Sequence, residues 1–504
     1  HLTNIHDEDV ADAPSPDEAL AGLVEFARDA KMVAHNAEFD RTFTTRHPSG
    51  YPLLDNIWID SLDLARIALP RMRSHRLIDL VKAFGAPTST HRADDDVAAT
   101  CALFRILLAA VHEMPPALVK CIALLAPAEQ WNTAVVFQYF AQPEVKLFSL
   151  KELRHESMTS YERRPRTDAK MIQTMEYPTA EDIAQAFSPT GVVGKLYDDF
   201  EPREEQLTMA QEVRSAFEAS ENLVVEAGTG VGKSMAYLVP AVLMAKANNI
   251  AIGVATKTNA LLDQLVYHEL PALAQSLGDI TYAPLKGFSH YPCLRKVNRF
   301  VKEGVKMVDV QGTKHSQAPS LGALLSFIDQ TDYDDMDSLK MDYRVVPRRA
   351  VTTTSHDCLR RKCPFYGTTC FVHGARRFAE TADVVVTNHT LLFCDAAADN
   401  GLLPPVRHWI LDEAHGAEAE ARRAFSLEIA AEDITRLAQK VASEESRNVY
   451  ARAEKKLSSS LKNDGATLFE GLVGKAKSAG DMFAAAAHEF VPHIKDLLYF
   501  DPNK

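Results

Sequence analysis

Short apolar runs bounded by turn residues alternate along this chain with stretches of helical period. That alternation predicts an α/β protein. Leu223-Val224-Val225 reads as a buried parallel strand, and Met235-Ala236-Tyr237-Leu238 opens a helix just after it. Trp409-Ile410-Leu411 reads as a second buried strand. Near the front, Lys31 to Asn36 reads as a strand ending in a turn, and Ala37-Glu38-Phe39-Asp40 opens a helix. Asn56 to Ile59 is strand-like, and His91 stands just before a helix whose first turn carries Asp96. From Ala417 to Ala487 the chain is rich in Ala, Glu and Lys with helical periodicity. Residues from about 113 to 186 carry Pro115-Pro116, Tyr161 to Pro165 and Tyr177-Pro178. They read as a connector whose apolar part folds on a neighbour. No internal repeat stands out.

The junction between the first strand and its helix holds the strongest chemistry. Ala227-x-x-x-x-Gly232-Lys233-Ser234 fits the phosphate-loop pattern, with Ala at the first Gly position. The candidate ATP contacts are Ala227, Gly228, Thr229, Gly230, Val231, Gly232, Lys233 and Ser234. Glycines let the loop take turns that Cβ atoms forbid, so that its N–H groups and the helix N-terminus can face phosphate oxygens. Lys233 is expected to reach the β- and γ-phosphates, and Ser234 to ligate Mg²⁺. Asp412 and Glu413 follow the Trp409 strand in the sequence DEAH. Asp412 is expected to hold Mg²⁺, and Glu413 to orient and deprotonate the attacking water. Lys233 and Asp412 stand 179 positions apart, far enough for a domain-sized insertion between them.

Four cysteines fall inside that insertion. Four residues separate Cys358 from Cys363, six separate Cys363 from Cys370, and Cys293 lies further upstream. With no apparent signal peptide and no apolar run long enough to span a membrane, a cytoplasmic chain with free thiols is expected. Thiolates so spaced can share a 4Fe-4S cluster. The two-residue knuckle common in zinc sites is missing, although zinc stays open as the alternative. Arg295, Lys296, Arg299, Lys302, Arg360, Arg361 and Lys362 interleave with the cysteines, as a single-strand entry path requires. The formal net charge of −13 does not exclude nucleic acid, because the basic residues are concentrated here. Acid is concentrated elsewhere, notably in Asp329 to Asp337, which reads as a solvated loop.

Taken in order, these segments resemble the front half of a DinG-type helicase, in the XPD-like branch of superfamily 2. Glu201 to Gln206 resembles the adenine-sensing motif, with Arg203 and Gln206 in the key places. Thr256-Lys257-Thr258 and Gln264 resemble the motif that grips the nucleic-acid backbone, and Lys286-Gly287 followed by Tyr291-x-Cys293 resembles the lead-in to the first cluster ligand. Ala382 to His389 resembles the strand and turn before the DEAH box. The resemblance implies ATP-driven unwinding of 5′-to-3′ polarity. It also implies nucleic-acid contacts at Thr256, Thr258 and Lys286, and a helical arch after the DEAH box.

The first 112 residues resemble a proofreading-type exonuclease of the DnaQ-like class. By that resemblance Asp40 and Asp96 are Mg²⁺ ligands, His91 is the general base, and Asn36 and Phe39 shape the site. Asp60 matches a recurrent family Asp that is not usually a ligand. The family's Asp-x-Glu pair on its first strand has no good counterpart after His1. Little nuclease activity is therefore expected of residues 1–504 alone, and the chain reads as an internal fragment of a longer protein.

The expected architecture is a truncated ribonuclease H-like exonuclease domain (1–112) and a connector (113–186), followed by a RecA-like P-loop motor domain (187–285 and 375–416). An iron–sulfur insertion (286–374) interrupts the motor, and a helical arch (417–504) follows it. The expected function is that of a monomeric ATP-dependent DNA helicase acting in repair or replication on single-stranded, forked or hybrid substrates, with ATP, Mg²⁺ and a 4Fe-4S cluster. A nucleic-acid scaffold switched by ATP, with a non-catalytic exonuclease fold, is the alternative.

Overall fold

The computed structural model describes residues 12–87, 93–147, 150, 166–197, 200–228, 230–278, 280–355, 357–367, 369–398, 402–426 and 464–497. The chain divides into two compact units, His1–Ala421 and Arg422–Lys504.

Near the front of the first unit, β1 (Met32–Ala34) and β2 (Trp58–Asp60) pair in parallel, with Ala34 opposite Asp60. Asn36 takes a left-handed conformation (φ 77°) and turns the chain into the helix Ala37–Thr44. Asp60 caps the helix Ser61–Ala68. Its Oδ1 accepts from the Leu62 N–H at 2.8 Å and from the Asn36 N–H at 3.1 Å. One carboxylate thus ties the ends of both strands together.

The four-stranded sheet is parallel, in the order β4 (Tyr282–Pro284), β7 (Val384–Asn388), β3 (Ile252–Thr256), β8 (His408–Leu411). Every residue of β3 is buried, as its continuous apolar run requires for a strand covered on both faces. A Cβ on Gly253 would lie 2.3 Å from the Trp409 ring of β8, so glycine is what lets that indole lie over β3. The same pairing sets Leu411 opposite Ala255. The chain leaves this sheet after β4 and returns at β7. Between them lie the helix Leu294–Glu303, the antiparallel hairpin β5 (Met307–Val310) and β6 (Thr313–Ser316), and the helices Ala318–Gln330 and Phe371–Ala379.

Two expectations are corrected here. Leu223-Val224-Val225 forms no strand, and Val224 is 94% exposed. A parallel strand exists only through its ladder, and β8, at the end of the sheet, pairs on one side only among the described residues. The acidic stretch Asp329 to Asp337 is not a solvated loop throughout. Asp335 is buried, because a buried cation needs it there.

The connector is more than a linker. Its helices Pro116–Ala123 and Ala134–Phe140 enter one hydrophobic core with exonuclease-side and insertion residues. Leu64, Leu103, Leu118, Phe137, Leu321 and Leu324 are all fully buried there. Gly322 brings the insertion helix so close that an added Cβ would stand 3.1 Å from Ile67 Cδ1 and 3.6 Å from Ile122 Cγ2. The front domain and the insertion therefore share a core. In the second unit, residues Asp464–Leu497 form a single helix of 34 residues.

Truncating Leu324 to Ala should cost about 2–5 kcal/mol by the lost burial and the cavity left behind. Hydrogen exchange should then loosen the helix Ser61–Ala68 together with Ala318–Gln330. Loosening confined to the insertion would show that the core is not shared.

Candidate functional site

The phosphate loop enters the helix Lys233–Asn248 through Gly230 (φ 82°) and Gly232 (φ 83°). Side chains rarely adopt such angles, and a Cβ at Gly232 would also lie 2.2 Å from Gln206 Nε2. Gln206 is buried and donates from Nε2 to the Gly232 carbonyl at 2.9 Å. The Arg203 guanidinium donates to the Gly230 carbonyl. The two residues expected to sense adenine therefore brace the loop backbone here. Ala227, Gly228 and Val231 line a cavity of about 520 Å³ with Glu204, Glu205 and Met209. Thr229 lies outside the described residues.

The sheet carries Asp412 and Glu413 to this loop. The Asp412 N–H donates to the Ala255 carbonyl at 2.8 Å. Lys233 Nζ stands 3.3 Å from Glu413 Oε1. Burial, and then the neighbouring Glu413 charge, raise the Asp412 carboxyl above its ordinary pKa, while Lys233 opposes them. A site that gathers two carboxylates against one lysine is prepared for a cation. Glu413 holds a left-handed conformation (φ 54°), a strained state for a side chain of its size and one that clusters at functional sites. Tyr237, buried beneath them, has its phenol pushed well up by burial and by Asp412.

Lys257 belongs to the segment expected to grip the nucleic-acid backbone, and His415 closes the DEAH sequence without a role expected of it. Lys257 Nζ lies 3.0 Å from His415 Nε2, and His415 Nδ1 lies 3.4 Å from Glu413 Oε2. A polar chain thus runs from Lys233 through Glu413 and His415 to the exposed segment after β3. The signal available was the histidine of the DEAH box, two residues beyond Glu413.

The expected nucleic-acid contacts fare unequally. Thr258 is exposed, and its hydroxyl caps the helix Asn259–Gln264. Thr256 is fully buried, and its hydroxyl donates to the Thr258 carbonyl at 2.9 Å. Lys286 is also buried, with Asp263 at 2.9 Å and Asp335 and Asp337 each at 3.0 Å. Thr256 and Lys286 are thus corrected from strand contacts to internal struts, because both follow strands into the core. Burial works against the Lys286 charge, but the three carboxylates prevail and raise its pKa. Asp337 also meets His290 Nδ1 at 2.8 Å and the Arg348 guanidinium. This network joins the helix Asn259–Gln264 of the motor to the insertion.

Cys293, Cys358, Cys363 and Cys370 line one small cavity with Phe288, Phe365 and His373. Cys293 and Cys370 each stand at the start of a helix. Burial pushes the Cys370 thiol up to about 11, with the charges of Cys293 and Cys358 adding to it. Burial also raises Cys293. Among the described residues no three His, Cys, Asp or Glu side chains converge tightly enough to hold a single ion.

At the front domain, burial and then the Asp60 charge raise Asp40, while His35 opposes them. Asp96 lies in the first turn of the helix Ala93–Glu113, and His91 lies outside the described residues. Among the described residues, Asp40 and Asp96 are not gathered with a third carboxylate around one ion. Asn36 donates its N–H to Asp60, and Phe39 is exposed and stacks on Phe43 at 6.4 Å between ring centroids. Asp63, unnoticed in the sequence, is raised to about 7 by burial and by Asp60. Its position one turn beyond Asp60 was the available clue.

Residues 1–104 match a family described as exonuclease. The whole chain aligns at 27% identity with the 3'-5' exonuclease DinG of Bacillus subtilis (strain 168), covering 54% of that protein. Some 47% of the chain is 38% identical to the ATP-dependent helicase DinG of Mycobacterium tuberculosis (strain ATCC 25618 / H37Rv), covering 38% of it. Another match, at 37% identity, is the ATP-dependent DNA helicase YoaA of Escherichia coli (strain K12), over 51% of the chain and 39% of the relative. The chain is thus similar to DinG and YoaA proteins along different parts of its length. It joins an exonuclease domain to helicase-like sequence, and it spans about half or less of the length of these curated relatives. No single helix among the described residues is long and apolar enough to cross a membrane.

Lys286→Met should leave three facing carboxylates without their cation and destabilise the fold by about 3–5 kcal/mol. Urea unfolding checks this, and Lys286→Met combined with Asp335→Asn should recover part of the loss. Unchanged stability in the single variant would refute the strut.

Proposed function

We propose that this protein acts as an ATP-dependent DNA helicase of 5′-to-3′ polarity with a fused 3′-to-5′ exonuclease-type domain. The observation that carries the reading is the 3.3 Å approach of Lys233 to Glu413, residues 180 positions apart. Helix N-terminus, lysine and two carboxylates then converge where a nucleoside triphosphate and its metal ion belong. Lys233 leaves Glu413 for the β- and γ-phosphates when nucleotide enters. Glu413 is then free to take a proton from the attacking water, and Ser234 and Asp412 hold Mg²⁺. When bound, Mg²⁺ supplies neutralisation of the phosphate charge. His415 and Lys257 relay the state of Glu413 to the segment beside Thr258, where the DNA backbone is gripped.

The cysteine cavity supports a 4Fe-4S cluster over zinc. Four thiols line one shared cavity, and the two-residue spacing common in zinc knuckles is missing from their sequence. When bound, the cluster supplies a rigid cross-link between the helices that begin at Cys293 and Cys370. The basic residues around it then form the single-strand path. Asp40, Asp96 and His91 are the exonuclease residues, with substrate DNA as the partner of both domains.

DNA-stimulated ATP hydrolysis tests the motor in the full-length protein. Lys233→Ala should lower it by at least about a hundredfold, and Glu413→Gln should retain ATP binding while losing turnover to a similar degree. A full rate in Lys233→Ala would end the reading. Anaerobically purified protein should carry four iron atoms per chain with broad visible absorption. Stoichiometric zinc in a colourless protein would replace the cluster assignment.

A further inference from the structure

One feature of the fold is absorbed by neither site. A cleft of about 530 Å³ lies between the front domain and the insertion, within the size range of ligand pockets. One wall comes from the exonuclease-type domain and carries Asn36, Glu38, Asp60 and Asp63. The opposite wall comes from the β5–β6 hairpin and the segment after it, and carries Lys314, His315 and Lys340. Lys314 and Lys340 are exposed and have no carboxylate within ion-pair distance among the described residues. Arg344, also in the cleft, is held by Asp342 through Nε at 3.0 Å and Nη2 at 2.8 Å. Arg66 on the acidic wall lies 3.8 Å from Asp63. Arg41 on the acidic wall also has no carboxylate within ion-pair distance among the described residues, so free positive charge lies on both walls. The front domain's three carboxylates, Glu38, Asp60 and Asp63, outnumber its two arginines, and Lys314 and Lys340 give the insertion its positive excess.

This division has a chemical meaning. A nuclease must hold a polyanion while keeping a concentration of carboxylates at the bond it breaks. Carboxylates repel the backbone, so the attraction has to come from another surface. Here that surface is supplied by the insertion of the motor, and the shared hydrophobic core fixes it in place.

We propose that a single strand of nucleic acid lies in this cleft, its phosphates against Lys314 and Lys340 and its end toward the Asn36–Asp40 segment. The insertion then contributes substrate binding to the nuclease as well as to the motor, and a strand leaving the motor is delivered to the nuclease by the same rigid body. This inference rests on the exonuclease reading of the front domain.

Photo-cross-linking of the full-length protein to an oligo-dT strand bearing iododeoxyuridine near its 3′ end, with peptides mapped by mass spectrometry, tests it. Cross-links at Met307 and His315, which line the cleft, are expected. Lys314→Glu with Lys340→Glu should lose them. Near 0.1 M salt the double variant should bind the strand about tenfold more weakly, with a salt slope reduced by roughly 1.4, or 0.7 for each phosphate contact. If the reversed pair unfolds, Lys314→Gln with Lys340→Gln gives the same readout more mildly. Cross-links confined to the helix Leu294–Glu303, with affinity unchanged in the variants, would overturn the proposal while leaving the motor reading intact. Wild-type protein that binds no strand would instead remove the nucleic-acid reading itself. A matched oligo-rU arm distinguishes DNA from RNA as the occupant.

Discussion

The pairing of β3 with β8 is the constraint on which the nucleotide site depends. It sets Ala255 opposite Leu411 and so places Asp412 and Glu413 at the end of the sheet that faces the phosphate loop. Trp409 lies over Gly253, and a one-residue slip would drive the indole against a side chain and turn the carboxylates away. The 3.3 Å contact between Lys233 and Glu413 is a consequence of that register.

The second organising interaction is the buried charge network around Lys286. A lone lysine in the core is costly, and so is a lone carboxylate. Three carboxylates from two parts of the chain meet one lysine, which meets its need for partners and secures the insertion to the motor helix that follows Thr258. With the apolar core between insertion and front domain, it makes the first unit mechanically continuous. The phosphate loop, the cysteine cavity and the cleft beside Lys314 all lie within that unit.

Local chemistry made much of this legible beforehand. The glycines of the phosphate loop, the strand before DEAH, the turn at Asn36 and the helix carrying Asp96 all follow from short-range rules. Such rules concern neighbours in sequence, and those neighbours stay together however the chain folds. The errors have a common cause. Thr256 and Lys286 are expected at a nucleic-acid strand by resemblance alone, and Asp329 to Asp337 in solvent by its charge, whereas the end of a buried strand, the turn after another and the neighbourhood of a buried cation take Thr256, Lys286 and Asp335 inside. Val224 failed in the opposite sense, because an apolar run becomes a strand only when another strand offers its edge.

By itself, then, the sequence determined which glycines, lysines, carboxylates and thiols occur, in what order and at what spacing, because those features reside in side chains and their immediate neighbours. Tertiary structure alone decided which of them meet. It brought Lys233 to Glu413, gathered the four thiols around one cavity, buried Lys286 among carboxylates, and set Lys314 and Lys340 across from Asp60 and Asp63. The physical reason is that contacts between distant residues are paid for by loop-closure entropy and won by core burial and strand register, neither of which can be evaluated until the whole chain has been packed.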